Sequence, residues 1–322
     1  MRILMLCLFF VFSLNASEDM FGRDVDTTDT SKLYFFGPGA VRLATYLGLE
    51  DRLVGIDEFD KKAPNLAPYQ KHLADKNATQ NLKIIAQGGP GKLPSKEAVI
   101  KSGASLIVMC DFQKDIVEKF AGSVDIPVFA LNYTLGVDSE NQLNSAKKAI
   151  KILSQITGKD KRGDEIVEFM QKQEDELKAL NVAKKSVFVG GLGFKGAHGI
   201  TSSLNSYPPF ALLGLKNALS QEGKIDHISI SYEALLKSDP ELIFIDKSGK
   251  KLFDDEMKNH ESVFASLSAF KNDKVYILEA YNQYATNLEN IFINAWQIAK
   301  ILGVQVDMEA KKSEILKAFF GE

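Results

Sequence analysis

Cysteine occurs twice in 322 residues, histidine four times, proline nine times and tryptophan once. Two cysteines exclude a disulfide scaffold. His72, His198, His227 and His260 are scattered, without the spacing of metal ligands. No stretch has the roughly 20 apolar residues that a membrane-spanning helix needs. Basic charge is not in excess either: 39 Lys and Arg face 42 Asp and Glu, a net charge of −3, which sets nucleic-acid binding aside. G-x-S-x-G, H-E-x-x-H and C-x-x-C are missing, so the familiar signatures of a nucleophile, a zinc hydrolase and a redox pair are missing with them. What is present is 45% apolar and 25% charged side chains, a soluble globular composition, in a length that suits two domains.

The N-terminus reads as an address. Met1 and Arg2 precede a 12-residue run, Ile3–Leu14, that is apolar except at Ser13, and then Asn15, Ala16 and Ser17. A charged start, a short apolar middle and a small residue match a cleaved signal peptide over residues 1–16. Cys7 lies inside the apolar run, which argues against a lipid-anchored cysteine. Removing 16 residues, Arg2 among them, leaves 306 residues, a net charge of −4 and Cys110 as the only cysteine. The expected product is an exported, soluble, periplasmic protein whose cores rest on packing alone.

From there, short β-type runs alternate with helical ones. Strands are expected at Leu33–Phe36, Leu53–Ile56, Lys83–Ile85, Leu106–Met109 and Val128–Leu131, and again at Ser186–Gly190, Leu242–Ile245 and Val275–Leu278. Residues 141–180 between the two series read as helix, broken only near Gly158. This is α/β, then helix, then α/β, with parallel sheets covered by helices. An internal repeat agrees. Glu97-Ala-Val-Ile-Lys-Ser-Gly-Ala-Ser-Leu-Ile-Val-Met109 aligns with Glu233-Ala-Leu-Leu-Lys-Ser-Asp-Pro-Glu-Leu-Ile-Phe-Ile245, six of thirteen positions being identical. Any helix–turn–strand unit explains the apolar pattern; matched Glu and Lys-Ser positions argue for two similar lobes.

Ligands of open parallel sheets bind beyond the carboxyl ends of the strands, and glycines gather there. Gly37-Pro38-Gly39 follows the first expected strand, with Arg42 in the next helical turn, and Gly88-Gly89-Pro90-Gly91 follows the third. Each is a plain tight turn or a place where backbone approaches a ligand. In the second half Gly190–Gly199 surrounds Lys195 and His198, and Tyr207-Pro208-Pro209-Phe210 comes after it. Tyr281 and Tyr284 follow the last strand, as Tyr133 follows one in the first half. A phenolate is a hard donor suited to Fe(III), a neutral phenol hydrogen-bonds or packs against a chelate, and tyrosine is also common at half-buried strand ends. Cys110-Asp111 is a nucleophile beside a carboxylate or, more simply, a small residue at the edge of a core.

The segment Asp19-Met20-Phe21-Gly22-Arg23-Asp24-Val25 resembles the D-x-x-G-R-x-V opening of substrate-binding proteins that serve ABC importers of iron complexes and vitamin B12. Gly37-Pro38-Gly39-Ala40-Val41-Arg42-Leu43 and Leu47–Ile56 are similar to that family's first helix and second strand, and the Glu97 and Glu233 segments to its paired units, one per lobe. The likeness spans nearly the whole mature chain. It implies an α/β fold of two Rossmann-like lobes joined by a single long α-helix, with the ligand cleft between the lobes: an N-terminal lobe 17–158, a connecting helix 159–181 and a C-terminal lobe 182–322. It implies a monomeric, non-enzymatic transport component without a cofactor of its own, delivering cargo to an inner-membrane ABC permease dimer through Glu97 and Glu233. Its ligand would be an iron(III) chelate of siderophore type, bound among Gly39, Arg42, Gly89, Tyr133, Lys195, His198, Tyr207, Tyr281 and Tyr284. Any direct metal bond would come from a Tyr or from His198. Alternatives are haem or a corrinoid over Phe112, Phe194 and Phe210, a nickel chelate on His198, or a secreted hydrolase using the same cleft. An adhesive or structural role explains neither the duplication nor the glycine loops.

Overall fold

The computed structural model describes residues 16–62, 67–134, 141–194, 196–221 and 227–321. The expected signal segment lies almost wholly outside them, and Lys195 lies outside them too. Two three-stranded parallel sheets organise the chain. In the first, β1 (Leu33–Phe36), β2 (Leu106–Cys110) and β3 (Val128–Leu131) lie in that order, with Leu33 opposite Leu106 and Ile107 opposite Val128. In the second, β4 (Val187–Gly190), β5 (Leu242–Asp246) and β6 (Val275–Leu278) repeat the order, with Val187 opposite Leu242 and Val275 opposite Ile243. The two central strands are buried along their whole length, as near-continuous apolar runs are when helices cover both faces of a sheet.

Two expected strands are not formed as such. Leu53–Ile56 and Lys83–Ile85 make only isolated parallel bridges, Leu33 to Leu53 and Ile56 to Ile84. The reason is local: Lys83 and Ile84 are exposed, so that run has no buried face to lay against a sheet. The second lobe has its own bridge at the matching edge, Val187 to Asn217.

The helical stretch is two helices, α3 (Gln142–Ile156) and α4 (Asp160–Lys178), separated at Gly158, whose φ of 64° suits glycine. Before them come α1 (Ala40–Tyr46) and α2 (Lys96–Ser102); after them come α5 (Tyr232–Ser238), α6 (Leu288–Ile301) and α7 (Met308–Phe320). Gly163 on α4 lets α3 come close, since a Cβ there would lie 2.2 Å from the Ser154 hydroxyl. Helix α4 also holds distant parts together. Arg162 donates to the Tyr46 carbonyl on α1 at 3.0 Å and to the Ala318 carbonyl on α7 at 2.7 Å.

Each sheet has an outer apolar cluster of its own, but a third, continuous core runs from the first lobe into the second. The C-terminal helix contributes to it by crossing back: the Phe319 ring lies 4.9 Å from Tyr46 and the Phe320 ring 5.0 Å from His72. The lobes thus share apolar packing rather than resting on two separate cores. Among the described residues no helix is long and apolar enough to cross a membrane.

Candidate functional site

The carboxyl ends of the two sheets carry most of the residues singled out above. In the first lobe β1 ends at Gly37 and Gly39, with φ of 96° and 76°. A Cβ at Gly37 would stand 2.3 Å from the Cys110 carbonyl, and one at Gly39 would stand 2.0 Å from the Tyr133 hydroxyl. The two glycines therefore let the turn close onto β2 and the exit of β3, which brings Arg42 of α1 beside Tyr133.

Arg42 is fully buried. Its Nη1 donates to the Tyr133 hydroxyl at 3.0 Å and to the Tyr284 carbonyl at 3.4 Å; its Nη2 donates to the Gln283 carbonyl at 2.7 Å and to Asn287 Oδ1 at 2.8 Å. The guanidinium also lies 4.7 Å above the Tyr69 ring. Burial opposes its charge, but the oxygens that accept from it and the nearby Glu289 hold the proton on. Arg42, expected among the ligand-binding residues, here joins the lobes. Tyr284 completes the seam from the other side, with its ring 4.4 Å from Phe59 and its hydroxyl accepting the Gly89 N–H at 3.1 Å. Gly39, Arg42, Gly89, Tyr133 and Tyr284 thus form one buried cluster.

Acids that the sequence reading missed surround it. The Tyr34 hydroxyl donates to Asp57 and the Tyr69 hydroxyl to Asp60, each at 2.6 Å, while Tyr46 donates to Glu289. Burial is the first cause of the raised carboxyl values, about 6 for Asp57 and about 7 for Asp60; it also raises Glu289. Arg42 Nε, Asp60 Oδ2 and Glu289 Oε1 are buried without a hydrogen-bond partner.

Tyr207 and Tyr281 form a second group. Their rings lie 5.4 Å apart, Asn294 Nδ2 donates to the Tyr207 hydroxyl at 3.1 Å, and the Tyr281 hydroxyl donates to Gln142 of α3. Burial pushes Tyr133, Tyr207 and Tyr284 up, so with no metal bound these phenols are neutral hydrogen-bonding groups. His198 stands apart on the second-lobe loop. It is exposed, its Nε2 lies 2.7 Å from the Phe194 carbonyl, and its ring is 6.0 Å from His227. Phe194 stacks on His227 at 4.4 Å and remains 45% exposed. Phe112 and Phe210 are buried, so of the three phenylalanines expected to floor an apolar site only Phe194 is open.

Both lobes tether the crevice end of their third strand with an acid at the end of the central strand. Asp111 accepts the N–H groups of Tyr133 and Thr134 at 2.9 and 3.0 Å; Asp246 accepts that of Tyr281 at 2.7 Å. The signal was an acid directly after an apolar run, which Leu106–Cys110 with Asp111 and Leu242–Ile245 with Asp246 both show. Cys110 is correspondingly no nucleophile, since burial and then Asp111 push its thiol up. Gly191, Gly193 and Gly196 stand in G-x-G-x-x-G spacing, yet the segment leads into the strand Ser202–Leu204 and not into a helix, as the dinucleotide-binding turn requires. Among the described residues no group of three or more His, Cys, Asp or Glu could hold a metal ion.

Glu97 and Glu233 are exposed in the first turns of α2 and α5. Each follows a serine cap: Ser95 accepts the Ala98 N–H and Ser231 the Ala234 N–H, both at 3.2 Å.

The profile of the periplasmic binding protein family matches residues 37–282. A search of curated proteins finds no match. Among solved structures, the molybdate periplasmic binding protein MolA of Haemophilus influenzae superposes with a TM-score of 0.75 at 15% identity, covering 95% of this chain and 98% of that one. The periplasmic heme binding protein HutB of Vibrio cholerae gives 0.63 at 18% identity over 86% of this chain and 100% of that one. A protein of the ABC-type Fe3+-hydroxamate transport system of Saccharomonospora viridis gives 0.62 at 14% identity over 88% and 97%. At such identities these likenesses speak for the fold.

Proposed function

The chain belongs to the periplasmic binding protein family, and we propose that it is the substrate-binding component of an ABC importer that captures an iron(III) complex of siderophore type and hands it to an inner-membrane permease. The observation that carries this reading is the pairing of two similar lobes across the carboxyl ends of their strands, where a parallel sheet takes its ligand. The crevice groups are amides, hydroxyls and an aromatic face: Asn132, Thr134, Asn282 and Phe194 are all at least partly exposed there. That chemistry suits a complex which brings its own donors to the metal, with the protein hydrogen-bonding and packing on the outside of the chelate. Of the expected ligand residues, His198 serves the second-lobe side together with Phe194 of the expected apolar floor, while Arg42, Tyr133 and Tyr284 hold the lobes at the working distance. Glu97 and Glu233 are the docking acids, one per lobe.

One observation favours a second reading, haem. The exposed Phe194 ring is stacked on half-buried His227, with exposed His198 beside them, which fits a flat macrocycle better than a compact chelate.

Native mass spectrometry of the purified protein with a ferric hydroxamate, a ferric catecholate, haem, cobalamin, nickel–histidine and molybdate separates these readings. A single tight ferric-siderophore adduct is the expected result. A haem adduct with a shifted Soret band, lost in Phe194→Ala, moves the assignment to the second reading. No adduct with any of the six removes the metal-chelate assignment.

A further inference from the structure

We infer that the permease grips this protein through two matched acid–aliphatic pairs, Glu97 with Ile100 on the first lobe and Glu233 with Leu236 on the second; this rests on the importer reading above. Helices α2 and α5 are related by a constant offset in sequence that extends past the repeat itself. It takes the cap Ser95 to Ser231, and it takes the left-handed residue closing the helix from Gly103, φ 72°, to Asp239, φ 40°. It also takes the first residue of the buried strand from Leu106 to Leu242. The same offset relates two exposed side chains, Ile100 at 56% and Leu236 at 36%. Their neighbours Val99 and Leu235 point into the core and are fully buried, so the outward aliphatic group is not a by-product of a helix that fails to pack.

A single exposed isoleucine or leucine is ordinary and needs no explanation. Here, of the eight large apolar side chains that are exposed among the described residues, these are the only two that the lobe duplication relates. Each also sits three residues after the exposed glutamate, which puts acid and aliphatic group side by side on one helix face. A two-fold symmetric partner answers such a duplicated motif with the same pocket twice. The chemistry required is a basic side chain next to a small apolar recess. The carboxylates orient the encounter, and the aliphatic groups, desolvated on contact, slow dissociation.

The test is binding of fluorescently labelled protein to right-side-out inner-membrane vesicles of the source organism. Three proteins are compared: wild type, Ile100→Ser with Leu236→Ser, and Glu97→Ala with Glu233→Ala. Exposed positions leave the melting temperature in place, which is checked first. The expected result is saturable wild-type binding, weakened about tenfold or more in each double variant. Wild-type affinity in the serine variant together with loss in the alanine variant overturns the inference and leaves docking to the acids alone. Full affinity in both variants overturns the inference and the docking role of the acids with it, while the importer reading stands; no saturable wild-type binding overturns the importer reading itself.

Discussion

The first lobe brings charge to the seam between the lobes, and the second brings mostly neutral acceptors. From the first come Arg42, Asp57 and Asp60, all buried; from the second come the carbonyls of Gln283 and Tyr284 and the amide of Asn287, with Glu289 the one acid. The lobes differ at their strand ends in the same sense. The Gly37-Pro38-Gly39 turn is closed down on Cys110 and Tyr133, whereas the second-lobe glycine loop leaves Phe194 and His198 open to solvent. One frame, used twice, has been specialised once as the anchor of the seam and once as a loop left open to solvent. What the duplication preserves is the sheet order, the acid that tethers the third strand, and the capped helix with its outward Glu.

The most severe way to break this division is Arg42→Met. It removes the charge that the second-lobe carbonyls were positioned to accept, and it leaves Glu289 without its nearest positive neighbour. Truncating one member of such a buried network costs about 3–5 kcal/mol. Urea denaturation is the measurement, with the midpoint falling well below that of wild type. A change under about 1 kcal/mol would mean that the shared apolar core, and not the arginine, joins the lobes.

Protonation sharpens the comparison from the acid side. Asp60 is raised from 3.8 to about 7 and Asp57 to about 6, with burial as the leading cause in both. The folded carboxyls keep protons that the unfolded chain has released, so the folded state binds more protons between about pH 4 and pH 7. Stability therefore falls as pH rises through that window. Asp246 in the second lobe, raised to about 6, adds in the same direction. Thermal melts at pH 5 and pH 7.5 should show the protein more stable at the lower value. Asp60→Asn should narrow the gap by about 2–3 kcal/mol. A gap of unchanged size in that variant would move the effect to Asp57 or to the second lobe.

Much of the frame was legible before any coordinates. The six sheet strands announce themselves as apolar runs between turn residues; in five of them burial on both faces leaves little room for polar side chains, while the edge strand Val275–Leu278 is apolar though only Leu278 is buried. The Glu97 and Glu233 segments betray the duplication, since the same surface demand is written twice. Lys83–Ile85 misled because a short apolar run specifies a strand only when a neighbour buries its face; Leu53–Ile56 has buried residues at Leu53 and Ile56, yet it meets its neighbours only through single bridges. The seam was hidden for a different reason. Arg42, Tyr133 and Tyr284 carry the residue types of a ligand site, and only the spatial approach of 283–287 to α1 shows that protein carbonyls take the place of a ligand's acceptors. Asp57, Asp60 and Glu289 were passed over because an acid in sequence reads as solvated surface until its burial is known.

The gentlest test asks how far the two halves remain equivalent in energy and not only in geometry. Ser95 and Ser231 occupy matched positions, accept one helix N–H each at 3.2 Å, and are exposed. The helices they open are equally short, seven residues each. In such short helices the cap satisfies a sizeable share of the free N–H groups, so serine to alanine costs about 1 kcal/mol. Ser95→Ala and Ser231→Ala should thus lower stability by nearly the same amount in parallel urea titrations. The double variant should show their sum, since the sites share no partner. Unequal losses would show that one lobe leans on its outer helix more than the other. The helices close differently, with Gly103 where the first lobe turns and Asp239 where the second does. A left-handed turn strains aspartate more than glycine, so if the symmetry fails it should fail with the larger loss at Ser231.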